Sequence, residues 1–160
     1  MNAVDVSFAE GLEGGPGTAM EELVPAAETY ALSVLAKLEK DNWDLSLVFC
    51  DDPFIRDLNG RYRGKDEATD VLSFEQGDTY ADEAGCKRLL AGDIVISLET
   101  LERNAAEFSV SRGEELRRLV VHGILHLSGL DHEDNEATRP MLRLQERLLA
   151  EIGPGKGPFE

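Results

Sequence analysis

His122, His126 and His132 are the three histidines of this 160-residue chain, and all lie in the stretch His122-Gly123-Ile124-Leu125-His126-Leu127-Ser128-Gly129-Leu130-Asp131-His132. Residues four apart on an α-helix share a face, so His122 and His126 can aim two imidazoles at one point. On a continuing helix His132 would turn to another face and sit about 9 Å further along the axis. Gly129 removes that obstacle, because glycine adopts the left-handed conformation that ends helices and turns the chain back. The spacing predicts two ligands on a helix, a glycine turn, and a third ligand returning to the same ion. Three neutral imidazoles without a thiolate suit Zn²⁺, one per chain, in the open arrangement that leaves a fourth position to water. Cys50 and Cys86 lie far from the histidines and form no Cys-x-x-Cys, so a closed structural zinc site is not indicated. The competing reading, histidines in ordinary hydrogen bonds, suits a lone histidine better than a trio at this spacing.

An open zinc site supports hydrolysis of a phosphodiester or an amide. Peptidases of the His-Glu-x-x-His type use the residue after the first histidine as general base, and here that residue is Gly123. Glycine cannot take a proton, which counts against ordinary proteolysis. Asp131 precedes the third histidine; it is a candidate catalytic residue, as a base or as a partner orienting a ligand, and equally a plain turn residue.

A second stretch, Leu58-Asn59-Gly60-Arg61-Tyr62-Arg63-Gly64-Lys65, interleaves the cations Arg61, Arg63 and Lys65 with one aromatic ring. Arginine's planar fork grips phosphate through paired hydrogen bonds, and a tyrosine ring stacks on a base, so Arg61, Tyr62, Arg63 and Lys65 are candidate RNA-binding residues. The plainer alternative is a solvated loop whose arginines pair with Asp57, Asp66 or Glu67. Arg117 and Arg118 either extend the cationic strip or pair with Glu114 and Glu115.

The elements that must position these residues follow from periodicity. Ala3 to Phe8 alternates as a half-buried strand, and a Gly-Pro-Gly break around Pro16 follows. Thr18 and Glu21 form a capping box for a helix carrying Leu23, Ala27, Tyr30, Val34, Leu35 and Leu38 at helical spacing. Trp43 to Cys50 reads as a strand, and Asp51 with Pro53 starts a short helix toward Asn59. Val71 to Phe74 and Asp93 to Leu98 read as short strands separated by an acidic, mobile surface loop from Glu75 to Gly85. Ser97 caps a helix through about Phe108, and Ser111 with Glu114 caps the histidine helix, whose packing face is Leu116, Leu119, Val120, Gly123 and Leu127. A last helix spans roughly residues 136 to 151, with Met141, Leu142, Leu144, Leu148 and Leu149 toward the core. The sum is an α+β fold: a single four-stranded mixed sheet packed with about five helices, with the zinc site at the end of one helix.

Composition bounds the rest. Residues 1–152 are long enough for a single metal-dependent hydrolase domain with its own core, and 153–160 read as a flexible, Gly/Pro-rich tail. The first 20 residues lack Lys and Arg and contain Asp5, Glu10 and Glu13, unlike a signal peptide, and no apolar run is long enough to cross a bilayer. These features predict a cytoplasmic protein with reduced thiols and no membrane partner. With 16 Lys+Arg against 32 Asp+Glu the net charge is −16, which excludes generic nucleic-acid adhesion; RNA must be held by a local cationic cleft and the metal.

Three blocks together resemble the YbeY family of bacterial rRNA maturation factors, described as metal-dependent, single-strand-specific endoribonucleases. The signature His-Gly-x-Leu-His-Leu-x-Gly-x-Asp-His runs from His122 to His132. Leu58-Asn59 through Tyr62-Arg63-Gly64 and Thr69-Asp70-Val71-Leu72-Ser73-Phe74 resembles a second block, and Gly92-Asp93-Ile94-Val95-Ile96-Ser97 a third. Glu75 stands where the family pattern carries proline, which alters a strand exit and not a ligand. The resemblance implies His122, His126 and His132 as zinc ligands and Arg63 as the essential arginine of the cleft. It further implies trimming of ribosomal RNA, chiefly at the 3′ end of the small-subunit RNA, and a part in ribosome quality control. Single-stranded ribosomal RNA, small-subunit ribosomal proteins and a ribosome-assembly GTPase are the implied partners. Two alternatives stay open: a non-catalytic, zinc-stabilised ribosome assembly factor, and a zinc peptidase-like hydrolase.

Overall fold

The structure, a computed structural model, describes residues 1–10, 12, 19–129 and 140–153. The Gly-Pro-Gly break, the Thr18–Glu21 capping box, Asp131, His132, the first residues expected in the last helix, and all of the tail but Gly153 lie outside the described residues. The elements run β1 (Ala3–Phe8), α1 (Ala19–Lys37), β2 (Trp43–Cys50), α2 (Asp52–Arg63), β3 (Val71–Ala81), β4 (Lys87–Ser97), α3 (Leu98–Glu107), α4 (Arg112–Leu127) and α5 (Pro140–Ile152). The strands form one sheet in the order β1-β2-β4-β3, with β1, β2 and β4 parallel and β3 antiparallel to β4. This is the expected α+β architecture, a mixed four-stranded sheet with five helices among the described residues.

Strand alternation sorts the core into two layers. Trp43, Leu45, Leu47 and Phe49 of β2 are buried in the larger cluster with residues of α1, α4 and α5. Val48 and Cys50 project to the other face, where Ile55 of α2 packs with Leu72 and Val95. Burial, aided by Asp51 and Asp52, pushes the Cys50 thiol up to about 12, which makes it an inert core residue. Helix α1 buries the Leu23, Ala27, Tyr30, Val34 and Leu35 stripe that the spacing predicts. No helix among the described residues is long and apolar enough to cross a membrane.

Helix α2 begins as expected, with the Asp51 carboxylate accepting the Phe54 N–H at 3.0 Å, but it runs to Arg63 instead of stopping near Asn59. Gly60 costs a helix about 1 kcal/mol. Burial of Ile55 and Asn59 on the same helix outweighs it, and Asn59 Nδ2 donates to the Glu67 carbonyl at 2.9 Å, pinning the turn that follows. Arg61, Tyr62 and Arg63 therefore sit on a helical turn and not in a loop.

The segment from Glu75 to Gly85 is likewise strand as far as Ala81, and only residues 82–85 form a turn. Strand β3 continues to Ala81 and pairs with β4 through Asp78–Leu90, Thr79–Leu89, Tyr80–Arg88 and Ala81–Lys87, after an irregularity between Glu75 and Asp78. Glu75 keeps the backbone N–H that a proline would lack, so nothing in its chemistry stops the strand there. The turn closes with Asp82, whose carboxylate accepts N–H bonds from Ala84 and Cys86, each at 2.9 Å. The outer half of β3 is exposed and so carries no hydrophobic alternation to read. A polar cluster steadies it: Arg88 donates to Asp44 at 2.7 Å, and the Tyr80 hydroxyl bonds to the same carboxylate.

Candidate metal centre

Helix α4 is capped by Ser111, whose hydroxyl accepts the Glu114 N–H at 3.0 Å; the Glu114 carboxylate turns instead to Arg118 at 3.4 Å. From Leu119 to Leu127 every position is buried except His122 and His126, which are half-buried. The two histidines thus occupy the one stripe on which this part of the helix meets solvent. Their rings lie edge to face, 4.6 Å between centroids, and the two Nε2 atoms are 3.0 Å apart. That separation is less than twice a Zn–N bond of roughly 2.0–2.1 Å, so one ion can touch both nitrogens. The donor set fits zinc. No cluster of three or more His, Cys, Asp or Glu ligands occurs among the described residues, the expected third ligand His132 being outside them.

Two glycines shape this site. A Cβ on Gly123 would lie 2.8 Å from the Ile94 side chain, so the absence of one lets α4 settle directly on β4. Gly129 adopts φ 90°, donating its N–H to the His126 carbonyl at 3.0 Å, the left-handed exit expected after the helix.

Arg63 donates from Nη2 to the Ser73 carbonyl on β3 at 3.4 Å. Ser73 pairs across the ladder with Ile94, the residue beneath Gly123, so a single cross-strand pair supports both the arginine and the histidine helix. Tyr62 is 66% exposed, with its ring edge to face against Phe74 at 5.3 Å between centroids, and offers a free face for stacking. Arg61 pairs with Asp57 at 3.1 Å, as the plainer reading of the strip anticipates, while Lys65 has no ion pair among the described residues. Arg118 bonds Glu114 and also Glu146. Arg117 makes no ion pair with Glu115 among the described residues, since residues two apart on a helix do not face each other; its Nη1 is buried without a hydrogen bond.

A surface groove of about 630 Å³ lies away from the histidines, against Asp52, Arg56, Asp57, Asp66 and Glu67. Four acids against one arginine would repel a phosphate backbone, so the groove is no RNA cleft.

One residue at the centre escaped the sequence reading. Gln145 of α5 is 6% exposed, and its Oε1 lies 2.7 Å from Nδ1 of His122. The signal was a polar residue on the apolar stripe of α5, one turn after Met141 and three residues before Leu148. Its neighbour Glu146 is bonded by Arg118, and that hydrogen bond holds the Glu146 carboxyl below its usual range against the opposing effect of burial.

With this geometry in view, comparison with known proteins places the chain. The family model described as Endoribonuclease YbeY matches residues 18–153. Curated relatives of the same description include one from Treponema denticola, 60% identical over 122 residues that cover 76% of this chain and 79% of the relative. Another, from Pelotomaculum thermopropionicum, is 41% identical over 138 residues, 84% of this chain and 90% of that one. Among solved structures, the solution structure of TM1509 from Thermotoga maritima superposes with a TM-score of 0.59 at 27% identity, covering 93% of this chain and 88% of that one.

Proposed function

Because the chain belongs to the Endoribonuclease YbeY family, we propose that it is a zinc-dependent endoribonuclease that cuts single-stranded RNA during ribosomal RNA maturation. The observation that carries this reading is the pair of Nε2 atoms 3.0 Å apart on the half-buried stripe of α4, with a glycine where a peptidase would need a carboxylate. His122 and His126, joined by His132, would hold the ion. When bound, zinc would lower the pKa of a water and polarise a phosphoryl oxygen.

The remaining roles fall to the protein's own groups. Arg63, always charged and carrying five donors, neutralises negative charge developing on the phosphoryl oxygens. Its bond to the Ser73 carbonyl, long at 3.4 Å, leaves most of those donors for substrate. Tyr62 stacks on an unpaired base, which favours single strands because a duplex offers no free base face at its middle. Gly123 withholds the general base of a zinc peptidase and so favours phosphodiesters over amides. The substrate is ribosomal RNA, with the 3′ end of the small-subunit precursor as the foremost candidate.

The test is a cleavage assay in which zinc-loaded protein meets single-stranded precursor ribosomal RNA, a blunt RNA duplex and a peptide library. Cutting of the single strand alone is expected. Cutting of peptides with RNA left intact would replace this reading by the peptidase one.

A further inference from the structure

Helix α5 puts one amide on its apolar stripe, Gln145 between the buried Met141 and Leu148. A buried amide must find partners for both its ends. Its Nε2 donates to Glu146 Oε2 at 3.3 Å, and its Oε1 lies 2.7 Å from Nδ1 of His122. Glu146 is gripped in turn by Arg118, whose Nη2 and Nε donate to its two oxygens at 2.9 and 3.1 Å.

The direction of every bond in this chain is set from its far end. A guanidinium only donates, so the ionised carboxylate beside it accepts, and the amide end facing that carboxylate must be the NH₂. The amide oxygen is then left toward His122, and the ring can meet it only by donating from Nδ1. That tautomer leaves the lone pair on Nε2, the atom that converges on Nε2 of His126 at 3.0 Å.

From this geometry we infer that Gln145 is a positioning residue that fixes His122 as the Nδ1–H tautomer with Nε2 presented to a divalent cation, Glu146 and Arg118 setting the orientation of the amide. The inference rests on the metal-site reading above. An amide orients the ring without adding charge to a protein already at −16. A carboxylate at 145 would also accept the proton, but its second oxygen would face the Glu146 carboxylate 3.3 Å away, so it can replace the amide only if Glu146 becomes the amide in exchange.

The experiment is a zinc competition titration with a chromophoric chelator on the full chain, on its Gln145→Met variant and on the charge-neutral exchange of Gln145→Glu with Glu146→Gln. It is paired with long-range ¹H–¹⁵N correlation of the imidazoles in the metal-free native protein. Outer partners of metal-bound histidines are worth about 10–100-fold in affinity, so Gln145→Met is expected to weaken zinc binding by about that factor, while the exchange, which keeps an acceptor toward His122 and a donor beside it, is expected to stay within a few-fold of the native chain. The native spectrum is expected to show His122 protonated at Nδ1. Native affinity in a folded Gln145→Met variant would overturn the inference, and so would Nε2–H at His122 in the native spectrum, a readout that stands even if the variant fails to fold. Failure of the native chain to bind zinc at all would instead overturn the metal-site reading on which the inference rests.

Discussion

Replacing His126 by alanine removes one of two converging nitrogens, and replacing Arg63 removes a donor that no metal needs. His126→Ala is therefore expected to lose bound zinc and RNA cleavage together. Arg63→Ala should retain its zinc and lose cleavage by about 10²–10³-fold, the usual cost of one transition-state donor. Zinc quantitation beside an RNA cleavage assay separates the two, and full cleavage by folded Arg63→Ala protein would remove that residue from the mechanism. Glu115 gives a prediction of a different kind, being only 4% exposed on α4. Burial raises its carboxyl above the ordinary value, opposed by Arg118 and assisted by Asp70, Glu114 and Glu146. A raised folded-state pKa means the contribution to stability is fully present below the unfolded value, about pH 4.3, and is lost as pH rises through the folded value. Glu115→Gln should accordingly melt higher than the native chain near neutral pH, and the difference should vanish toward about pH 4; thermal melts across that range check it. At this scale the histidine pair was legible because identical residue types recur at one helical turn. Gln145 was not, because a polar residue on an apolar stripe declares a buried partner without saying which one.

Helix α4 and strand β4 form the joint on which the site stands. Gly123→Ala would press a methyl to within 2.8 Å of two Ile94 carbons. Ile94 is buried and β-branched, so it cannot swing aside, and overpacking of this kind costs about 1–3 kcal/mol. Better helix propensity recovers up to about 1 kcal/mol of that. A net loss in denaturant stability is expected, relieved when Ile94→Ala is added, because neighbouring substitutions couple; additive losses would show that the two do not touch. Alternation and capping residues made β1, β2, α3 and the start of α4 readable. The outer half of the β3–β4 hairpin was hidden because β3 there is exposed throughout and held by backbone ladder and by the Asp44, Arg88 and Tyr80 cluster, leaving no period to read. Helix α2 outran its expected end because Asn59, polar in sequence, is buried in the fold and ties down the following turn.

Across the whole molecule, the charge of −16 opposes RNA at long range, so its grip falls to the cationic end of α2. Three cations there, Arg61, Arg63 and Lys65, limit counterion release. At about −0.7 per phosphate contacted on a single strand, the slope of log affinity against log salt should be no steeper than about −2. A much steeper slope in a salt titration of RNA binding would reveal a larger cationic surface than this one. The family blocks were readable in order along the sequence, but their linkage was not, since it depends on β3 pairing antiparallel to β4 and bringing Ser73, which Arg63 bonds, beside Ile94 under Gly123. The central claim is that a zinc ion at the α4 histidines is required to cut RNA. Elemental analysis of the purified protein, joined to cleavage of precursor ribosomal RNA before chelation, after it and after zinc is restored, tests that directly. About one zinc per chain is expected, with cleavage lost on chelation and regained on zinc addition. Metal-stripped protein that cuts the same RNA at an undiminished rate would contradict it.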